Sequence, residues 1–229
     1  MSIDVASIRC VTFDCYGTLV DWETGILGAA ASLAGCTIEP HERADVLDAY
    51  AAAERQIEAG EYLPYREVLR RVAHELAARF HWSIDSHSEH TISESIIDWP
   101  AFDETPGALR ALQERFSVGI LSNIDNDLFA TTAPKLGIEL DLLVTAEQVR
   151  SYKPAEVHFH EAMERMKLPA SAVLHVAESR YHDVAPASRL GFPTVWVNRA
   201  AGGASASGAS DASPDLTVTS LGELIQHLG

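Results

Sequence analysis

Positive charge is scarce in this sequence. Lys and Arg number 17 against 33 Asp and Glu, a formal charge of −16 over 229 residues. Such a surface repels phosphate backbones and anionic lipid, so nucleic acid and membrane surfaces are excluded as expected partners. Any anion the chain captures therefore needs a locally basic site. Cysteine is scarce as well: Cys10, Cys15 and Cys36 are odd in number and match neither a zinc-site spacing nor a disulfide framework, so reduced thiols are the simplest reading. No apolar run reaches the ~18 residues of a membrane span. The opening MSIDVASIRC lacks the basic-then-apolar order of a signal peptide. These absences lead to the expectation of a cytoplasmic protein. No internal repeat is found, and none of the histidine spacings points to a metal. His158, His160, His175 and His182 are read as surface or core residues.

What is present is an alternation. Strand-length apolar runs occur at Ile8 to Phe13, Val118 to Leu121, Leu140 to Val144, Ala172 to Val176 and Thr194 to Val197. Helical patterns separate them, at Gly107 to Arg115, Asp127 to Leu136 and Glu156 to Met166. This order predicts a doubly wound α/β core with a parallel sheet, closed by a last strand and helix. Residues 20 to 100 differ: His41 to Ala59 and Pro64 to Phe80 are rich in Ala, Glu, Arg and Leu, with no strand among them. The expected division is an α/β core of residues 1–19 and 100–229, with a helical insertion over 20–99. Ala200 to Pro214 has few bulky side chains and is expected to be a flexible surface loop.

Polar residues follow the apolar runs in a telling order. In VTFDCYGTL the first strand runs into Asp14 and is closed by Gly17, at the carboxyl end where open α/β sheets bind ligands. A carboxylate there, beside backbone N–H groups and the Thr18 hydroxyl, is a candidate nucleophile; the alternative is an Asp that merely precedes a turn. In GILSN, Ser122 and Asn123 can donate hydrogen bonds to an oxyanion or cap a helix. Lys153, before Pro154, can counter the charge of Asp14 and of a substrate, although a lone Lys is usually solvated. In HVAESRYHDVAPA, Glu178 and Asp183 bracket a short loop after another strand. Cys15 should point away from Asp14, into packing.

Together these segments resemble the four motifs of the haloacid dehalogenase superfamily, at Asp14 to Thr18, Ser122, Lys153 and the Glu178 to Asp183 loop. A helical cap is inserted between the first and second motifs. The resemblance covers nearly the whole chain. It implies that Asp14 attacks carbon or phosphorus, that water hydrolyses the resulting ester, and that Ser122 and Lys153 hold the anion.

Phosphatases of that superfamily usually carry a second Asp two positions after the nucleophile to protonate the leaving alcohol; here the position is Tyr16. A departing halide needs no proton, and both DCYGTL and GFPTVWVNR resemble the 2-haloacid dehalogenase group. The favoured expectation is hydrolysis of a small 2-haloalkanoic acid without a cofactor, with Tyr16, Asn123, Glu178 and Arg180 binding substrate. That group usually has Ser and Asn where this chain has Glu178 and Arg180. It also has a cap Arg for the substrate carboxylate, for which Arg55 and Arg66 are candidates.

If Asp14, Glu178 and Asp183 converge, Lys153 alone leaves the cluster at −2. One Lys at about 4 Å offsets a single carboxylate by roughly 4 kcal/mol at an effective dielectric of 20. Three devices are open for the remainder: Arg180, a raised pKa on one acid, or Mg²⁺ held by Asp14, the Tyr16 carbonyl and Glu178 or Asp183. The last is the alternative of a Mg²⁺-dependent phosphatase acting on a small phosphate monoester. A non-catalytic binding protein on the same fold is the rival from another class. A small anionic substrate is the expected partner, and a homodimer is one possible assembly. Tyr62 and Tyr65, on the insertion, are read as packing residues ahead of substrate contacts.

Overall fold

A parallel sheet covered on both faces needs strands that are apolar throughout, without alternation. The computed structural model, which describes residues 3–199 and 210–229, shows this directly: every residue of β1 (Cys10–Phe13) is buried. The insertion follows as α1 (Trp22–Ala34), α2 (Arg43–Glu58), α3 (Tyr65–Phe80) and α4 (Thr91–Ser95). The chain then runs through α5 (Thr105–Gln113), β2 (Ser117–Ser122), α6 (Asn126–Leu136), β3 (Leu142–Thr145), α7 (Ala146–Val149) and α8 (Val157–Met166). It closes with β4 (Val173–Ala177), α9 (Ala185–Arg189), β5 (Thr194–Val197), β6 (Leu216–Val218) and α10 (Leu221–Leu228). The six strands are all parallel, in the order β3-β2-β1-β4-β5-β6. Strand order therefore reverses between β1 and β4, and a crevice opens there at the carboxyl ends.

The five expected apolar runs all form strands, with ends shifted by at most two residues. The insertion also holds α1, ahead of the two helical patterns expected at 41–59 and 64–80. Residues 200–209 of the expected surface loop lie outside the described residues.

The insertion leaves and re-enters the core side by side. Val20 bridges Ala101, and the Asp21 amide donates to the Pro100 carbonyl at 2.8 Å. Its helices bury stripes: on α3, Val68, Leu69, Val72, Ala73 and Leu76 recur at helical spacing and are buried. They belong to the same apolar cluster as Val11 and Phe13 of the sheet, so one core runs through both parts. A polar clasp adds to it. Asp125 stands at the N-cap position of α6, yet its carboxylate accepts from the Tyr65 and Arg66 amides at 2.8 and 3.0 Å, capping α3 from across the crevice. The Tyr152 hydroxyl donates to the Leu63 carbonyl nearby. Among the described residues, no helix is long and apolar enough to cross a membrane.

Candidate active site

Asp14 is fixed where β1 ends, its amide donating to the Val176 carbonyl of β4 at 3.1 Å. The backbone turns sharply at Gly17, whose φ of 101° is strained for any residue with a Cβ, and an added Cβ would also press on the Trp22 ring at 3.2 Å. This turn brings Thr18 back on the nucleophile: its hydroxyl donates to Asp14 Oδ2 at 2.9 Å and accepts from the Glu178 amide at 2.9 Å. Arg199, at the end of GFPTVWVNR, grips the Thr18 carbonyl through two nitrogens and lies 3.6 Å from the centre of the Phe102 ring. That guanidinium fixes the turn from outside the crevice.

Lys153 is 1% exposed, the opposite of a solvated Lys. Its ammonium donates to Asp14 Oδ1 at 2.9 Å, to Asp183 Oδ1 at 2.6 Å and to the Leu121 carbonyl at 2.7 Å, so all three protons are committed. Burial alone would lower its pKa, but the two carboxylates outweigh burial and raise it, so the ammonium stays charged. The same pull splits the acids. Burial pushes the Asp14 carboxyl up, more than Lys153 and Thr18 bring it down. For Asp183 burial is again the largest influence, yet Lys153 and His175 together overcome it and hold the carboxyl at about 2.

These groups line a cavity of about 90 Å³ between the strand ends and the insertion. Ser122 and Asp183 also face it, and the Ser122 hydroxyl and Asp183 Oδ2 are buried with no hydrogen-bond partner among the described residues. Two buried polar atoms left in this state on one cavity are acceptor and donor sites for a bound molecule. Glu178 lines the same cavity, with its carbonyl held by the Trp196 indole at 2.7 Å. Tyr16 presents its ring to the cavity, but its hydroxyl is bonded to Thr132 at 2.8 Å, and burial drives its pKa well above 10.

Two of the residues expected to contact substrate, Asn123 and Arg180, hold other partners. Asn123 reaches the cavity wall, but its amide is occupied: Oδ1 accepts from the Lys153 amide at 2.7 Å, and Nδ2 donates to the Lys153 carbonyl and to Glu58. It clamps the loop that carries Lys153. Arg180 is turned away, donating twice to the Ala212 carbonyl and stacking 5.2 Å over Trp196. It therefore does not supply the missing positive charge. Arg55 of α2 does line the cavity, whereas Arg66 pairs with Asp127 on the surface at 2.7 Å.

The insertion brings residues that the sequence pattern did not single out. Glu54 and Glu58 join Arg55 on the cavity wall, and Glu54 Oε1 accepts from the Tyr50 and Tyr65 hydroxyls at 2.7 and 2.5 Å. Desolvation is the largest influence on both glutamates and raises them, which lessens the negative charge they add to the cavity. His182 also lines the cavity, as a neutral imidazole held down at about 4 by burial. His175 bonds Asp183 from the core, His158 is buried and His160 exposed. Tyr62 stacks on Tyr152, while Tyr65 reaches the cavity. Cys15 is fully buried in the apolar core, as its position on an extended stretch requires.

Mg²⁺ fits this donor set poorly. Both Asp14 oxygens and Asp183 Oδ1 are already bonded by Lys153, Thr18 and His175, and among the described residues no group of three His, Cys, Asp or Glu is placed to hold a metal ion.

Comparison with known proteins gives a consistent picture. The model of the family described as haloacid dehalogenase-like hydrolase matches residues 8–191. An (S)-2-haloacid dehalogenase of Pseudomonas fluorescens is 28% identical over 235 residues, covering 97% of this chain and 97% of that protein. The crystal structure of an L-2-haloacid dehalogenase superposes with a TM-score of 0.83 at 25% identity, covering 96% of this chain and 98% of the other. The fold is shared as well with an L-2-haloacid dehalogenase from Xanthobacter autotrophicus solved with chloropropionic acid covalently bound, at a TM-score of 0.79, 18% identity, and coverage of 96% and 97%.

Proposed function

The chain belongs to the haloacid dehalogenase-like hydrolases, and from that premise we propose that it cleaves the carbon–halogen bond of a small 2-haloalkanoic acid through an ester formed on Asp14. The observation that carries this choice is Tyr16. The alcohol of a phosphate monoester leaves as an alkoxide that needs a proton, and the side chain two positions after Asp14 is a poor acid for it: its hydroxyl is bonded to Thr132, and burial drives its pKa well above 10. Halide leaves without one. The similarity to named 2-haloacid dehalogenases along 97% of the chain points the same way.

In the first step an Asp14 oxygen forms a bond to C2 of the substrate while the C2–halogen bond breaks, and the halide departs with the electron pair. Lys153 and Thr18 orient the carboxylate for that attack. Arg55 binds the substrate carboxylate, and Ser122 donates to it. In the second step water adds to the Asp14 acyl carbon as Asp183 Oδ2 takes one of its protons. The ester bond to the 2-hydroxy acid then breaks, the proton passes to the departing alkoxide, and Asp14 releases a proton and re-ionises. The helical segment 20–99 serves as the cap that closes the cavity, its adjacent crossings at Val20 and Ala101 acting as the hinge.

The test is halide release from (S)-2-chloropropionate and phosphate release from 4-nitrophenyl phosphate, each with Mg²⁺ and with chelator, alongside Asp14→Asn. Halide release that persists in chelator and vanishes in the variant is the expected result. Phosphate release that depends on Mg²⁺, without halide release, would sink the reading.

A further inference from the structure

Asp183 has a second buried contact that the reaction above does not use. His175 sits in the middle of β4, 1% exposed, with the edge of Phe159 packed against its imidazole at 5.0 Å. Its Nε2 lies 2.9 Å from Asp183 Oδ1 and its Nδ1 lies 3.0 Å from the Thr12 hydroxyl of β1. The ionised Asp183 carboxylate can only accept, so Nε2 carries a proton and donates to it, while Nδ1 is held by the Thr12 hydroxyl, which also reaches the Leu174 carbonyl at 3.4 Å. The result is a buried Thr12–His175–Asp183 chain that runs from the inside of the sheet to the cavity.

The distribution of donors on Asp183 has a consequence. Oδ1 receives both Lys153 and His175, whereas Oδ2 is buried and has no hydrogen-bond partner among the described residues. A carboxylate anchored twice through one oxygen is fixed in rotation, with its other oxygen turned toward the cavity to take a proton. Lys153 cannot give this orientation alone, because it also holds Asp14 and so serves both halves of the reaction. His175 touches Asp183, does not line the cavity, and makes no hydrogen bond to Asp14.

We infer that His175 is a positioning residue for hydrolysis of the ester: with Thr12 behind it, it fixes Asp183 so that Oδ2 faces the water, and it acts on the second step and not on the first. The inference rests on the reaction proposed above. That separation makes it testable, since a residue that only supported the fold would slow both steps together.

The experiment is rapid mixing of (S)-2-chloropropionate with the wild-type protein and the variants His175→Phe, His175→Gln and Thr12→Val, following halide release and the mass of the Asp14 peptide. With His175→Phe, one halide per site is expected at close to the wild-type rate, after which turnover falls about 10- to 100-fold and the ester accumulates on Asp14. Gln places an amide donor near the Nε2 position, so His175→Gln should recover most of the hydrolytic rate, and Thr12→Val should show the same split more weakly. The Gln and Val variants keep the test alive should the Phe variant fail to fold. Equal loss in both steps, or no loss in either, overturns the role of His175. A wild-type protein that releases no halide overturns the proposed reaction, and this inference with it.

Discussion

The two walls of the cavity are built on different principles. The sheet side consists of strand ends and loops at that edge: Asp14 after β1, Ser122 at the end of β2, Lys153 in a loop between α7 and α8, and Asp183 in a π-helical turn after β4. Its charged groups are almost wholly buried and tied to one another, with every Lys153 proton committed. The insertion side is a helix face, on which Glu54, Arg55 and Glu58 of α2 are only partly buried. On the reaction proposed above this becomes a division of labour: the preorganised sheet wall would perform the chemistry at low reorganisation cost, and the helical wall would set which molecule is admitted.

That division can be broken most sharply at the sheet wall. Asp14→Asn should leave the fold intact and lower halide release by about 10⁴-fold or more. Lys153→Met, which leaves two carboxylates buried without their cation, should abolish activity and also cost about 3–5 kcal/mol in denaturant unfolding. The helical wall should respond in binding. Arg55→Gln is expected to raise KM about 10- to 100-fold for an anionic substrate, the loss of one charge-assisted contact, with a much smaller change in kcat. An equal fall in kcat would place Arg55 in the chemistry and dissolve the comparison.

Acid separates the two carboxylates of the sheet wall. Burial raises Asp14, so as pH falls the nucleophile protonates earlier than an ordinary Asp, whereas Asp183 stays ionised down to about 2. The acid limb of the pH–rate profile should therefore belong to ester formation: single-turnover halide release falls first, and hydrolysis of a preformed ester does not. The smallest effect is expected at Arg180→Ala. Its guanidinium is spent on Ala212 and Trp196, outside the cavity lining, so steady-state turnover should stay within about twofold of wild type.

The sheet wall was legible in the sequence because Asp14, Ser122 and the Glu178 to Asp183 loop follow apolar runs, and a parallel sheet brings its strand ends to one edge, while Lys153, past α7, stood out by its place before Pro154 and by the resemblance. That is how Asp14, Thr18, Ser122, Lys153, Glu178 and Asp183 could be named from spacing and resemblance. The helical wall was legible only in part, at Arg55, which was one of two candidate arginines. Glu54 and Glu58 stand among many charged residues of an amphipathic helix, and nothing in the one-dimensional pattern says which of its faces meets the cavity. Arg180 failed for a local reason. A π-helical turn over Arg180–Val184 directs Asp183 inward and Arg180 outward, and single-residue differences in winding are invisible in a hydrophobic pattern. His175 was hidden by its own burial: a His in an apolar strand reads as packing until its partner across the turn is seen.

Solvent oxygen reports on the central claim most directly. With the protein in excess over (S)-2-chloropropionate in heavy-oxygen water, one turnover should place the label in the Asp14 carboxylate and leave the first-formed lactate unlabelled, because water attacks the acyl carbon of the ester. Label found in the lactate after that single turnover, with Asp14 unlabelled, would mean that water attacks the substrate itself and that Asp14 is never esterified.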